Sequence, residues 1–358
     1  MPVKVGNHTE RKAKDNMTVK QRSLCVIMAL AVLLTTLGAA GFTATARASE
    51  ETLTLYSGRN EKLMSPILEE FTKDTGIKLA IRYGDTAEMA ATILEEGDNS
   101  PADVFLAQDA GALGALAAEE RLTVIPDTLL ERVPAEFQSP DGVWVGVSGR
   151  ARVLAYNTKA LKADQLPTSI LDLVKPEYKG RVAWAPTNAS LQSQVTALRV
   201  LLGEEKTAEW LKGMVANETK VYSGNVPMVK DVADGVVEMA ITNHYYIWQL
   251  RATTPDTAVA AAFFPKGDPG ALVNVAGAGI LTTSKKRETA AKLIDYLLSE
   301  KAQKYFAETT FEYPLIEGVA LADGLTPLAD LEMPEIDLSD LADLRGTLAL
   351  LQETGVLP

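Results

Sequence analysis

The feature that most constrains this chain is a repeated switch of hydrophobic period. From Leu53 onward, short apolar runs alternate with amphipathic stretches, the sequence form of a parallel sheet covered by helices. Leu53-Thr54-Leu55-Tyr56 reads as a first strand. Leu63, Ile67, Leu68 and Phe71 then follow helical spacing and stop at Thr75-Gly76, where a glycine closes the helix. A strand from Ile77 to Tyr83 comes next, and Asp85 caps a helix carrying Met89, Ile93 and Leu94. Ala102 to Leu106 is a third buried strand, followed by a small helix with Leu113 and Leu116. Trp144 to Val147 and Arg152 to Tyr156 read as two extended segments leaving this first set.

A second α/β set follows. Its strands are expected at 181–185, 220–222 and 237–242, and its helices at 191–202, 206–215 and 226–234. Another extended pair, 258–264 and 271–281, is joined by the turn-rich Pro265-Lys266-Gly267-Asp268-Pro269-Gly270. Helices at 286–298 and 301–307 precede an acidic tail after Leu325-Thr326-Pro327, with a last helix at 341–354. Two α/β sets joined by more than one extended crossing describe a two-lobed binding protein whose cleft is lined by loops at the strand ends.

The first 48 residues read as an export signal: basic residues Lys4, Arg11, Lys12, Lys14, Lys20 and Arg22, an apolar run from Leu24 to Leu37, then Ala46-Arg47-Ala48. Cleavage near Ala48 would start the mature chain at Ser49. Met17 is a more usual start than Met1 for such a signal. An uncleaved anchor over Leu24 to Phe42 is the alternative, weakened by Thr35, Thr36, Gly38 and Gly41. Cys25 precedes the apolar run, the wrong side for a lipid-carrying cysteine.

Thirty-five Lys and Arg stand against 47 Asp and Glu, a net charge of −12. Removing residues 1–48 leaves 28 against 45, or −17. Nucleic-acid binding needs the opposite sign. One cysteine and two histidines, His8 and His244, are too few for a structural zinc site, an iron–sulfur cluster or a disulfide framework. Gly146-Val147-Ser148-Gly149 lacks the glycine spacing of a nucleophile elbow, and Gly277-Ala278-Gly279 lacks the third glycine of a dinucleotide loop. The chain therefore reads as a binder rather than an enzyme.

The most informative segment is Met239 to Tyr246, where a buried strand runs into Asn243-His244-Tyr245-Tyr246 at the start of a helix. Adjacent tyrosines often pack at a surface. At the ligand end of a strand, two phenol oxygens instead suit a hard trivalent cation. A phenol ionises near pH 10, so each phenolate costs about 4 kcal/mol at pH 7, which a bound metal charge offsets.

Asn243-His244-Tyr245-Tyr246, Tyr56-Ser57-Gly58-Arg59, Ser100 to Phe105, Ser148-Gly149-Arg150-Ala151-Arg152, Asp268 to Val273 and Glu312-Tyr313-Pro314-Leu315 come in a fixed order over residues 52–355. In that order they resemble the ferric-ion-binding periplasmic proteins of bacterial ABC importers. The resemblance implies a type II periplasmic-binding fold, no catalysis, a monomer, and delivery of Fe³⁺ to a permease in the cytoplasmic membrane. It implies lobes of residues 49–150 with 275–326 and of 151–274 with 327–358, joined by hinge strands. Iron falls on Tyr245 and Tyr246. The family's accompanying anion, carbonate or phosphate, is held by a helix start and asparagines that match Asn188, Ser190, Asn225 and Asn243. Arg59 and Arg150 are anion partners or salt-bridge residues. Asn60 and Gln108 stand where one branch of the family carries a histidine and a carboxylate, and the loop at 187–191 lacks the extra tyrosine of another branch. Asp109 is either a nearby carboxylate or a helix cap. Capture of a small organic anion such as a phosphonate, and a membrane-tethered sensor, are the competing readings.

Overall fold

Helices and strands form where the two periods predict them, and their caps show why they stop. A computed structural model describes residues 52–331 and 333–358. The export segment, the anchor alternative and the cleavage position lie outside these residues. In chain order the structure contains β1 (Thr52–Ser57), α1 (Glu61–Thr75), β2 (Lys78–Tyr83), α2 (Thr86–Glu96), β3 (Val104–Ala107), α3 (Ala110–Ala118), β4 (Leu122–Thr123), α4 (Asp127–Leu130) and β5 (Trp144–Asn157). Then come β6 (Val182–Trp184), α5 (Ala189–Leu202), α6 (Glu204–Ala216), β7 (Lys220–Val221), α7 (Asn225–Ala233), β8 (Met239–Asn243), α8 (His244–Thr253), β9 (Val259–Ala262), β10 (Val273–Leu281), α9 (Arg287–Leu297), α10 (Glu300–Tyr305) and α11 (Leu344–Glu353).

Helix α1 illustrates the local logic. Asn60 accepts a hydrogen bond from the Lys62 N–H at 3.0 Å and so caps the helix start. Met64, Ile67, Leu68 and Phe71 fall on one buried face, each worth roughly 2 kcal/mol of apolar burial. Gly76, at φ 73°, ends the helix in the left-handed region that a side chain resists.

The sheet runs β2-β1-β3-β10-β5-β8-β6-β7, with β4 on β10 and β9 on β5. Strand β5 carries the crossing. Its first part, Trp144–Ala151, pairs antiparallel with β10, and its second part, Arg152–Tyr156, pairs antiparallel with β8. The two extended segments expected on either side of Ser148 are thus one strand of 14 residues. The sequence between them, Ser148 to Ala151, is polar and small, which hid the continuity. Pairing with Val273 to Ala276 keeps it extended.

One core surrounds Leu53, Phe71, Phe105, Trp144 and Ile280. A second surrounds Trp184 and Trp210, whose rings meet edge to face at 6.2 Å, with Leu154, Val195 and Met239. The tail helix begins at Leu344, three residues later than its pattern suggested, because Asp343 accepts from the Gly346 N–H at 2.9 Å and caps it there. The preceding Leu338–Ala342 winds as a 3-10 segment on α3, where a side chain on Gly111 would run into the Leu341 carbonyl. Helix α11 docks on α5 through a 2.7 Å hydrogen bond between the Thr196 and Thr347 hydroxyls.

Candidate functional site

Strands β1, β2 and β3 run parallel, as do β6 and β8. Their C-terminal ends deliver Arg59 and Asn60, Gln108 and Asp109, Asn188 to Ser190, and Asn243 to Tyr246. These residues come from distant parts of the chain, yet the charge of Arg59 interacts with both Tyr245 and Tyr246. The two sets of strand ends therefore converge.

Tyr245 is buried and Tyr246 half-buried at the start of α8, their rings 4.3 Å apart and tilted by 38°. Burial pushes the Tyr246 phenol well above its ordinary pKa, and the neighbouring Tyr245 pushes in the same direction. The Asn225 amide and the Arg150 charge oppose that push. Among the described residues, no group of three or more His, Cys, Asp or Glu is placed to hold a metal ion. The hard donors at this site are the phenol pair.

Three arginines line the same region: Arg59, Arg150 and Arg152, exposed by 2, 1 and 2 %. Arg59 is bound on both η nitrogens by the Glu312 carboxylate, at 2.8 and 2.7 Å. Burial would raise the Glu312 carboxyl, but the Arg59 guanidinium holds it below the usual carboxylate range. Arg152 donates from Nη1 to Asn243 Oδ1 at 2.9 Å, and burial drops its pKa to about 10. Arg150 makes no hydrogen bond to any described residue. Asp109 is 5 % exposed; burial raises its carboxyl while Arg150 opposes the shift, and its Oδ1 caps α3 by accepting from the Ala112 N–H at 3.4 Å.

The remaining sequence candidates divide. Asn225 gives Oδ1 to the Thr242 hydroxyl at 3.3 Å and lies beside Tyr246. Asn243 is held between Arg152 and Ser190, donating to the Ser190 hydroxyl at 3.0 Å. Asn188 accepts from the Ser190 N–H at 3.1 Å as the cap of α5. Asn60 is exposed and occupied by the cap of α1. Gln108 is half-buried, with its main-chain N–H on the Thr86 hydroxyl at 3.1 Å.

Histidine 244 is 0 % exposed and sits between elements. Its Nδ1 accepts from the Ala151 N–H at 3.1 Å, and its Nε2 meets the Phe311 carbonyl at 2.7 Å, which fixes the tautomer with the proton on Nε2. Both nitrogens are thus engaged, and burial lowers the pKa to about 4. Two residues of this site escaped the sequence reading. Arg152 had a usable signal: it alternates with Arg150 on one face of an otherwise apolar strand. Glu312 had none beyond its place in a motif, since its partner lies 253 positions away.

The match to known proteins covers both sets of strands. Residues 99–337 match the family described as "Bacterial extracellular solute-binding protein". The chain belongs to this family. It is 34 % identical over 319 residues to the Fe(3+)-binding periplasmic protein of Serratia marcescens, covering 88 % of this chain and 94 % of that one. The iron uptake protein A1 of Synechocystis is 34 % identical over 301 residues, with 82 and 83 % of the two chains covered. Among solved structures, iron-bound HitA from Pseudomonas aeruginosa superposes with a TM-score of 0.81 at 35 % identity, covering 85 % of this chain and 99 % of that chain. The Trichodesmium protein solved with iron and citrate ligands gives 0.73 at 31 % identity, with 85 and 99 % covered. The fold is that of a type II, two-lobed periplasmic binding protein. This is a family of transport proteins and not of enzymes, and it places the chain outside the cytoplasm.

Proposed function

We propose that this solute-binding protein captures Fe³⁺ on Tyr245 and Tyr246 and delivers it, as a monomer, to an ABC permease in the cytoplasmic membrane. The observation that carries the reading is the pair of neighbouring phenols at the end of β8, gathered with three buried arginines in a chain a third identical to Fe(3+)-binding relatives. A phenol held protonated by burial makes a poor ligand until a trivalent charge arrives, so loading expels protons and acid favours release. Two phenolates leave the ferric ion with one net positive charge. An oxyanion such as carbonate or phosphate completes the sphere, because Asn60 and Gln108 are neutral and His244 has no free nitrogen.

Arg59 and Arg152 set the field around the phenols, favouring their ionised forms. Asn188, Ser190, Asn225 and Asn243 hold the tyrosine-bearing junction against the start of α5 and α7. The lobes consist of residues 49–150 with 275–326 and of 151–274 with 327–358, and they close about β5 and β10 after export and cleavage near Ala48. The test is a ferric citrate titration followed by calorimetry and by the visible band of ferric phenolate. Tyr245→Phe and Tyr246→Phe should each keep the fold and lose most of the binding and colour. Wild-type binding in both variants would reduce the pair to packing and end the iron reading.

A further inference from the structure

A guanidinium has five N–H donors and no acceptor, so removing it from water demands oxygen atoms around it. Arg150 is 1 % exposed, and its Nε, Nη1 and Nη2 have no hydrogen-bond partner among the described residues. Its neighbours on the sheet share the condition. Arg150 stands opposite Asn274 in the β5–β10 register, so both side chains leave the same face, and Ser148 lies two residues earlier on that face. Asn274 is 4 % exposed, accepts on Oδ1 from the N–H groups of Ala110 and Val275 at 3.1 and 2.7 Å, and keeps Nδ2 unpartnered. Ser148 is 0 % exposed with its hydroxyl unpartnered. Three adjoining buried groups offer donors and find no acceptor.

The nearby carboxylates do not fill that role. Glu312 is committed to both η nitrogens of Arg59. Asp109 is held on its own helix cap and makes no hydrogen bond to Arg150. By contrast, the residues at the start of α5 are already bonded to one another: Asn188 to the Ser190 N–H, Asn243 to the Ser190 hydroxyl and to Arg152.

We propose that Arg150, Asn274 and Ser148 form an oxyanion seat on β5 and β10 that fills without iron, and that this seat, rather than the start of α5, holds the anion closing the ferric site. Only the second clause rests on the ferric reading. The ligand class is a small oxyanion presenting two or more oxygens to the Arg150 fork: inorganic phosphate, bicarbonate, or one carboxylate of a chelator such as citrate. The seat adjoins the tyrosines, since the Arg150 charge acts on Tyr246 and the next residues of β5 pair with the end of β8.

Calorimetry on the iron-free protein, with phosphate, bicarbonate and citrate in separate arms, tests the seat and identifies the source. At least one anion should bind one to one and raise the thermal midpoint. Arg150→Gln should weaken that anion tenfold or more and Ser148→Ala severalfold, while Asn188→Ala changes it less than twofold. Asp109→Asn, which removes a competing negative charge, should tighten it. Arg150→Gln should keep or raise the midpoint in anion-free buffer, because it removes an unpartnered buried charge. Should it fail to fold, Arg150→Lys, which keeps the charge and loses the fork, must show the same weakening. Two outcomes overturn the proposal: none of the three anions binds without iron, or Arg150→Gln binds like wild type while Asn188→Ala loses the anion. Iron is absent throughout, so the result stands apart from the ferric titrations of the tyrosine variants.

Discussion

Arg59 and Arg150 are equally buried and lie on opposite sides of the same site, but their surroundings differ. At the end of β1, the Arg59 fork is closed by the Glu312 carboxylate through two short bonds. On β5, the Arg150 fork faces only other donors. A buried pair that satisfies itself holds the fold together without needing a ligand. A buried charge left open is a cost that folding alone does not recover, so it points to something the protein binds. The first region is therefore expected to govern stability and the second to govern binding.

The largest effect should come from the binding region. Tyr245→Phe or Tyr246→Phe should reduce ferric affinity by orders of magnitude, with the thermal midpoint close to wild type. Calorimetry and differential scanning measured on one preparation separate the two. A variant that loses binding by melting would erase the division drawn here.

Next in size is the structural region. Glu312→Gln keeps the shape and removes the charge, leaving Arg59 buried and uncompensated, a loss of about 3–5 kcal/mol in denaturant unfolding. Glu312 has a folded pKa below its unfolded value, so its contribution is present above the usual carboxylate range and disappears as pH falls through the folded value. Acid unfolding curves of the variant and wild type should therefore converge at low pH. Curves that stay parallel would show that the pair contributes nothing.

His244 tests a third kind of buried group, neutral and fully bonded. Its folded pKa of about 4 lies below the unfolded value near 6.5, so its stabilisation is complete above pH 6.5 and fades as pH falls toward 4, by at most about 3 kcal/mol. His244→Gln should flatten that part of the stability profile while the ferric colour at neutral pH persists. Loss of the colour would make the imidazole a ligand.

The smallest change is the most diagnostic. Arg150→Gln in anion-free buffer should alter unfolding free energy by no more than about 1 kcal/mol, in either direction. A loss as large as that of Glu312→Gln would mean Arg150 is a structural residue like Arg59, and the contrast between the regions would collapse.

Much of this architecture was legible in the residues themselves. The alternation of period set the order of strands and helices, because burial on one face repeats every two or 3.6 residues whatever the final fold. The tyrosine pair was visible for the same local reason: a buried strand, Met239 to Asn243, runs straight into it. Boundaries failed where polar residues interrupted an element, as in β5, or where a cap moved the start, as at Asp343. What the sequence could not specify was which buried charges are satisfied. Arg59 and Arg150 look alike in the chain, and only the folded topology brings Glu312 across 253 positions to one of them and an open row of donors to the other. Likewise, nothing local places His244 between the Ala151 N–H and the Phe311 carbonyl. Such partnerships depend on distance in space, which a chain acquires only after its strands have chosen their neighbours.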